Sequence, residues 1–284
     1  MRTLRTVAEM RRVLAEPRRS ERTIGLVPTM GAFHDGHLSL MRRAREECDV
    51  VVVSLFVNPT QFNEQTDLDR YPRDERRDAA LAADLGVDYL FAPAIEEVYP
   101  DGFATTVSVG GVTAELEGTF RGPEHFDGVA TVVTKLFNMV APNVAYFGQK
   151  DAQQTVVIRR LVRDLDLPVR IEVCPIVREP DGLALSSRNA HLSDEERARA
   201  LSLHRALRLA HEAVQSGERQ AAAIRARALA ELSSSGVEPE YFELVSTDTM
   251  APVQHVEGDV LAVVAARVGA TRLIDNETIQ NGRP

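Results

Sequence analysis

Short apolar runs alternate with longer stretches of helical spacing along the first 175 residues of the chain. Residues 24–27 form a compact apolar run of strand length, and residues 38–47 after it place apolar side chains at helical intervals. A continuous run at 50–57 is rich in β-branched valine. Residues 74–84 read as a polar, alanine-rich helix and 87–91 as a short strand. Apolar positions 129, 132, 133, 136, 137 and 140 mark one face of a helix. Runs at 144–147, 153–165 and 169–173 continue the order strand, helix, strand. Such alternation predicts an α/β fold of βαβ units: a Rossmann-like parallel sheet with helices on both faces. In such sheets ligands sit outside the carboxyl ends of the strands. Three polar loops follow strands, at 28–37, 58–71 and 148–151.

The texture changes near residue 178. Ser193-Asp-Glu-Glu supplies a helix cap and an acidic first turn, and helical spacing then runs to about residue 214. A second helix is expected after Gly217, followed by strand-like runs at 241–245, 260–267 and 271–274. This predicts a first domain over residues 1–178 and a smaller α+β domain over 179–284.

Composition narrows the class. Hydrophobic residues make up 44% and charged residues 26% of the 284, which fits a soluble globular chain. No apolar run approaches the roughly 20 residues that span a bilayer, and the amino terminus lacks the apolar stretch of a secretory signal. A cytoplasmic setting, with no membrane partner, is expected. The net charge of −9 argues against a dedicated nucleic-acid binder, yet a few placed cations would still hold a phosphate. Lysine occurs only at Lys135 and Lys150, the rest of the 33 basic residues being arginine. A lysine kept against that bias implies a use for its compact ammonium. Cys48 and Cys174 each adjoin β-branched residues and read as buried small hydrophobes.

Four segments carry candidate chemistry. Pro28-Thr-Met-Gly-Ala-Phe-His34-Asp-Gly-His37 joins a strand to a helix start. Its two histidines project to one side, where backbone N–H groups and the helix dipole already favour an anion. Gly31 and Gly36 let the backbone approach a ligand. Asn58-Pro-Thr-Gln61 offers amides for a carboxylate or hydroxyl, although Asn-Pro is also an ordinary turn. Gly148-Gln149-Lys150-Asp151, with Gln154 one turn on, places an ammonium for phosphate oxygens and a carboxylate for Mg²⁺. A capping Asp151 and a solvated Lys150 would explain the same residues. No Walker-type phosphate loop occurs in the chain. Finally Asp181-Gly-Leu-Ala-Leu-Ser186-Ser187-Arg188-Asn189 offers two hydroxyls and a guanidinium, as a phosphate clamp or as a plain surface linker.

Together these segments resemble the pantothenate synthetases. The likeness rests on Val27-Pro-Thr-Met-Gly with His34-Asp-Gly-His37, and on Val53-Ser-Leu-Phe-Val-Asn58-Pro-Thr-Gln61-Phe. Tyr71-Pro-Arg, Leu116-Glu-Gly, Phe147-Gly-Gln-Lys150-Asp, the 181–189 segment and Arg272-Leu-Ile-Asp-Asn complete it, in order over most of the chain. The resemblance implies a nucleotidyltransferase-type Rossmann domain, a smaller domain covering the site, and a homodimer. It implies that pantoate is adenylated by Mg·ATP and that β-alanine then displaces AMP. Carried over by position, His34 and His37 contact ATP, with Met30 and Gly31 lining the nucleotide. Gly148, Gln149, Lys150, Asp151, Val177, Leu185, Ser186, Ser187 and Arg188 complete the ATP site. Gln61 and Gln154 hold pantoate, with Asn58, Tyr71, Arg121 and His125 beside that pocket. His37, His34, Lys150 and Arg188 carry the catalysis. Three departures stand out: the family usually has glutamate at position 149, an aromatic at 152, and one residue fewer between the arginine and histidine seen here as Arg121 and His125. Which of those two keeps the usual position is left open.

Overall fold

The computed structural model describes residues 1–63 and 65–281; Glu64, inside the expected 58–71 loop, and residues 282–284 lie outside the described residues. The chain divides into two compact units, one of Met1–Gly148 and Val157–Pro175, the other of Gln149–Val156 and Ile176–Pro284. The sequence reading placed a single boundary after residue 178, whereas segment 149–156 groups with the second unit.

The first unit holds strands β1 (Arg2–Leu4), β2 (Ile24–Thr29), β3 (Val50–Leu55), β4 (Tyr89–Phe91), β5 (Val144–Gly148) and β6 (Arg170–Cys174). They form one parallel sheet in the order β1-β4-β3-β2-β5-β6. Its longer helices are α1 (Val7–Arg19), α2 (Asp35–Glu47), α4 (Glu75–Asp84) and α7 (Pro123–Val140). Short helices α3 (Gln65–Arg70), α5 (Ile95–Val98) and α6 (Glu117–Arg121) interrupt the connections, and α8 (Ala152–Asp164) follows β5. Val51 and Val53 pack against Leu40, Met41 and Ala44 of α2. Val50 and Val52 point the opposite way and are equally buried. Both faces of the sheet are therefore covered, which is why β3 reads as an unbroken apolar run.

From β2 the chain proceeds outward to β3 and β4, then returns to lay β5 on the other side of β2. Strand order thus reverses between β2 and β5, the point at which a doubly wound sheet opens a crevice at its carboxyl edge.

The second unit carries α9 (Asp194–Gln215), α10 (Ala221–Ser234) and an antiparallel sheet of β7 (Pro239–Ser246), β8 (Val260–Val268) and β9 (Thr271–Ile279). Ser193 caps α9 reciprocally: its Oγ accepts from Glu196 N at 3.2 Å, while Ser193 N donates to the Glu196 carboxylate at 2.9 Å. Leu203, Leu207 and Ala210 of α9 and Ile224 and Leu232 of α10 join Phe242, Val264 and Leu273 in one core. Among the described residues no helix is long and apolar enough to cross a membrane.

Both cysteines are buried. Burial raises the Cys48 thiol above its usual range and pushes that of Cys174 up to about 11, so both stay neutral thiols at physiological pH. In the second unit His204 on α9 has a buried Nδ1 with no hydrogen-bond partner. Burial first, then the Arg178 guanidinium, push its imidazole below the usual value of 6.5. The unfolded chain therefore binds a proton here before the folded chain does, and stability drains away as pH falls below about 6.5. The expected result is a thermal midpoint that drops between pH 7.5 and 5.5, with a shallower drop in His204→Gln. Parallel pH curves for the two proteins would remove His204 as the cause.

Candidate active site

The loop after β2 is fixed by a buried carboxylate. Asp78 of α4, 1% exposed, accepts from Ala32 N at 2.7 Å and Phe33 N at 2.8 Å. Gly31 makes the turn that brings those amides round, at a φ of +93° that other residues rarely adopt. His34 then caps α2: its Nδ1 accepts from Gly36 N at 3.2 Å, and His37 Nδ1 accepts from His34 N at 3.4 Å. The two rings lie 4.2 Å apart between centroids. With Nδ1 accepting in each ring, the proton of a neutral imidazole resides on Nε2. Both rings are thus set as Nε2–H donors at a helix start that already favours negative charge.

The loop after β3 is organised around Asn58, which is 1% exposed. Its Nδ2 donates to Gln61 Oε1 at 3.0 Å and Gly128 O at 3.1 Å. Its Oδ1 accepts from Tyr99 Oη at 2.8 Å and Thr60 Oγ1 at 3.0 Å. Burial raises the Tyr99 pKa, keeping that phenol a donor. Because the Gln61 oxygen is engaged, its Nε2–H₂ is the end offered outward; here it reaches Met30 Sδ at 3.1 Å. His125 Nδ1 meets Gln61 O at 2.8 Å, whereas Arg121 Nε donates to Glu117 at 2.8 Å. His125 is therefore the member of the lengthened pair that touches the Gln61 turn. Tyr71 packs edge-on against Phe62, the residue after Gln61, at 5.8 Å between centroids.

Gly128 explains how α7 comes so close. A Cβ there would stand 2.4 Å from Thr60 O and 2.8 Å from Gln61 N, both backbone atoms. Alanine at this position must push the 59–61 turn away, which would turn the Gln61 amide. With Gln61 holding a small acid beside a nucleotide, as the resemblance implies, the expected outcome for Gly128→Ala is a rise of about tenfold or more in KM for that acid, with far less change for the nucleotide. Unchanged KM values for both would show that the turn tolerates the shift.

In the second unit, Gln149, Lys150 and Asp151 form a 3-10 turn leading into α8. Lys150 is 18% exposed in its side chain and its Nζ lies 3.7 Å from Asp151 Oδ1, whose own side chain is 52% exposed. Gln154 follows on α8, partly buried. The 178–184 stretch folds back on itself through an Arg178–Ala184 bridge, with Leu185 N donating to Val177 O at 3.0 Å. It leads into Ser186, whose Oγ accepts from Arg188 N at 3.3 Å. Asn189 anchors that loop by donating to Glu179 at 2.8 Å and to Ala184 O at 3.1 Å. Arg188 itself is exposed.

The first unit thus brings together Met30, Gly31, His34 and His37 on one loop and Asn58, Gln61, Tyr71, Arg121 and His125 around the next, the two joined by the Gln61–Met30 contact. The second brings together Gln149, Lys150, Asp151 and Gln154, and separately Val177, Leu185, Ser186, Ser187 and Arg188. Gly148 closes β5 at the sheet's switch point. Sequence reasoning missed Asp78, which sits far along the chain in an unremarkable polar helix. It also assigned no chemistry to Asp275 and Asn276, although both lie in a segment that carried the family likeness.

These features define a class: a doubly wound α/β protein whose switch-point loop sets two imidazoles side by side at a helix start. A family model described as pantoate-beta-alanine ligase matches residues 2–278. The sequence is 53% identical over 282 residues to the pantothenate synthetase of Moorella thermoacetica, covering 99% of each chain. It is 55% identical over 274 residues to that of Cereibacter sphaeroides, covering 96% of this chain and 98% of the other. Among solved structures, pantothenate synthetase from Thermus thermophilus superposes with a TM-score of 0.93 at 48% identity, covering 99% of this chain and 100% of that one. A pantoate-beta-alanine ligase from Francisella tularensis, complexed with beta-gamma ATP and beta-alanine, superposes with a TM-score of 0.80 at 34% identity over 98% of this chain and 97% of that one. The chain belongs to the pantoate–β-alanine ligase family, whose members are ligases that form an amide bond.

Proposed function

We propose that this protein uses ATP to join pantoate to β-alanine through a pantoyl adenylate, releasing pyrophosphate and then AMP. The observation that carries the reading is the pair of Nε2–H donors at the start of α2, in a chain of this family. In the first step a pantoate carboxylate oxygen attacks the α-phosphorus. The bond from that phosphorus to the bridging oxygen breaks, and the electron pair leaves with pyrophosphate. In the second step the neutral amine of β-alanine attacks the acyl carbon. The carbon–oxygen bond to phosphate breaks, AMP departs with the electron pair, and the nitrogen loses a proton to give the amide.

The nucleophile of the first step is the substrate's own carboxylate, so positioning and charge stabilisation supply most of the acceleration. His37, beside His34, donates to the charge growing on the transferred phosphate. Gln61, held by Asn58 with its N–H₂ outward, donates to pantoate, and Gln154 is its proposed counterpart. Tyr71, Arg121 and His125 shape that loop. Lys150 and Arg188 neutralise the triphosphate, with Met30, Gly31, Gly148, Gln149, Val177, Leu185, Ser186 and Ser187 as its remaining contacts.

Mg²⁺ would accompany the triphosphate. Among the described residues no cluster of three or more histidine, cysteine or acidic side chains could cage a metal. One exposed carboxylate, Asp151, suits an ion that keeps most of its ligands as phosphate oxygens and water. The ion would supply further charge neutralisation there. A cytoplasmic homodimer is the proposed setting, on the strength of the family resemblance.

The test is ATP–pyrophosphate exchange. Exchange is expected only with pantoate present, other small acids failing to replace it, and addition of β-alanine should yield the condensed product and AMP. Exchange that ignores pantoate, or pantoate-dependent exchange with no amide on adding β-alanine, would overturn the reading.

A further inference from the structure

Adjacent residues near the middle of β9 hold both candidate phosphate segments of the second unit. Asn276, 3% exposed, uses its whole amide on the turn that carries Lys150. Its Nδ2 donates to Gln149 O and Lys150 O, each at 3.0 Å, and its Oδ1 accepts from Gln149 Nε2 at 3.1 Å. Its backbone N–H donates to Asp275 Oδ1 at 2.8 Å. Asp275, 4% exposed, accepts both terminal nitrogens of Arg178, at 2.7 and 3.0 Å. Arg178 also donates to Gly182 O at 3.2 Å, bracing the fold-back that leads to Ser186 and Arg188.

We propose that Asp275 and Asn276 are positioning residues for the ligation: Asn276 sets where Lys150 stands, and Asp275, through Arg178, sets where the 186–188 loop begins. The inference rests on the reading above, in which Lys150 and Arg188 neutralise the triphosphate. Three features favour positioning over simple packing. Strand β9 is already paired with β8 through its backbone register, so the Asn276 side chain is not needed to complete the sheet. All of its side-chain bonds go to residues 149 and 150, more than 120 positions away, and none to the core. A planar bidentate pair such as Arg178–Asp275 fixes orientation as well as distance.

Gln149 belongs to the same device. Its amide nitrogen donates to Asn276 Oδ1, a bond that a glutamate carboxylate at this position could not make. Gln149→Glu is therefore expected to loosen the turn in this chain.

The experiment is a double-mutant cycle in pantoate-dependent exchange, using Asn276→Ala, Lys150→Ala and the double variant, with thermal midpoints measured alongside. Misplacing a charge by about an ångström costs on the order of 10–10²-fold. Asn276→Ala is expected to lower kcat/KM for ATP by that much in the natural chain, and by less than about twofold once Lys150 is gone. KM for pantoate should hardly move. Asn276→Asp, which keeps the shape but removes both donors to the carbonyls, should follow alanine and guards against a packing defect. Equal losses in both backgrounds, or full activity in Asn276→Asp, would overturn the proposal. A Lys150→Ala protein of near-normal activity would instead sink the assignment of Lys150, and is a separate outcome.

Discussion

His37→Ala is expected to lower kcat for pantoate-dependent pyrophosphate exchange by about 10²–10³-fold, the usual loss when one donor to a developing charge is removed. The geometry separates this from unfolding. His37 Nδ1 accepts a 3.4 Å bond from His34 N at the start of α2, so its removal weakens that helix cap. That costs about 1 kcal/mol and, in a chain of this size, a few degrees in the thermal midpoint. His37→Gln should recover part of the rate, since its amide restores an N–H near the same place. Turnover within about threefold of the natural chain in His37→Ala would remove the imidazole from the mechanism, because no preorganised donor of ordinary strength is worth so little.

Lys150→Ala is expected to cost a comparable 10²–10³-fold, again in kcat more than in KM, if the ammonium acts mainly on charge that grows during adenylyl transfer. Lys150→Arg should not restore the rate. The turn is held at two successive carbonyls by Asn276, and a longer planar guanidinium cannot occupy the place of a compact ammonium on the same backbone. In a sequence that uses arginine at nearly every other basic position, this is the substitution the composition itself argues against. Measuring exchange rate and thermal midpoint for both variants checks the point. A fully active Lys150→Arg would show that charge alone suffices there.

The inner strands β2, β3 and β5 were legible because burial on both faces leaves mainly apolar residues to choose from, as in Val50 to Val53. β1 escaped notice since Leu4 is its one buried residue. β9 was read as ending at residue 274 but runs to Ile279, because Asp275, Asn276 and Glu277 look like a polar loop. Two of them are polar for specific partners, Asp275 for Arg178 and Asn276 for the 149–150 turn. α7 begins at Pro123 and not near 129, its first turns being hidden by Gly128 and the polar residues around it. Local spacing revealed the paired histidines and the lysine turn. It could not reveal Asp78 or Asn276, whose work is done on residues far away in the chain. Patterns report neighbours in sequence, and these contacts are made only by the fold.

The buried carboxylate under the loop after β2 has one more effect. By tying Ala32 and Phe33 in place before any nucleotide arrives, Asp78 makes the cost of ordering that stretch part of folding. In the reaction proposed above, an incoming triphosphate would meet a surface already shaped, so little of its binding free energy would be spent on conformational entropy and more would remain for strain at the reacting phosphorus.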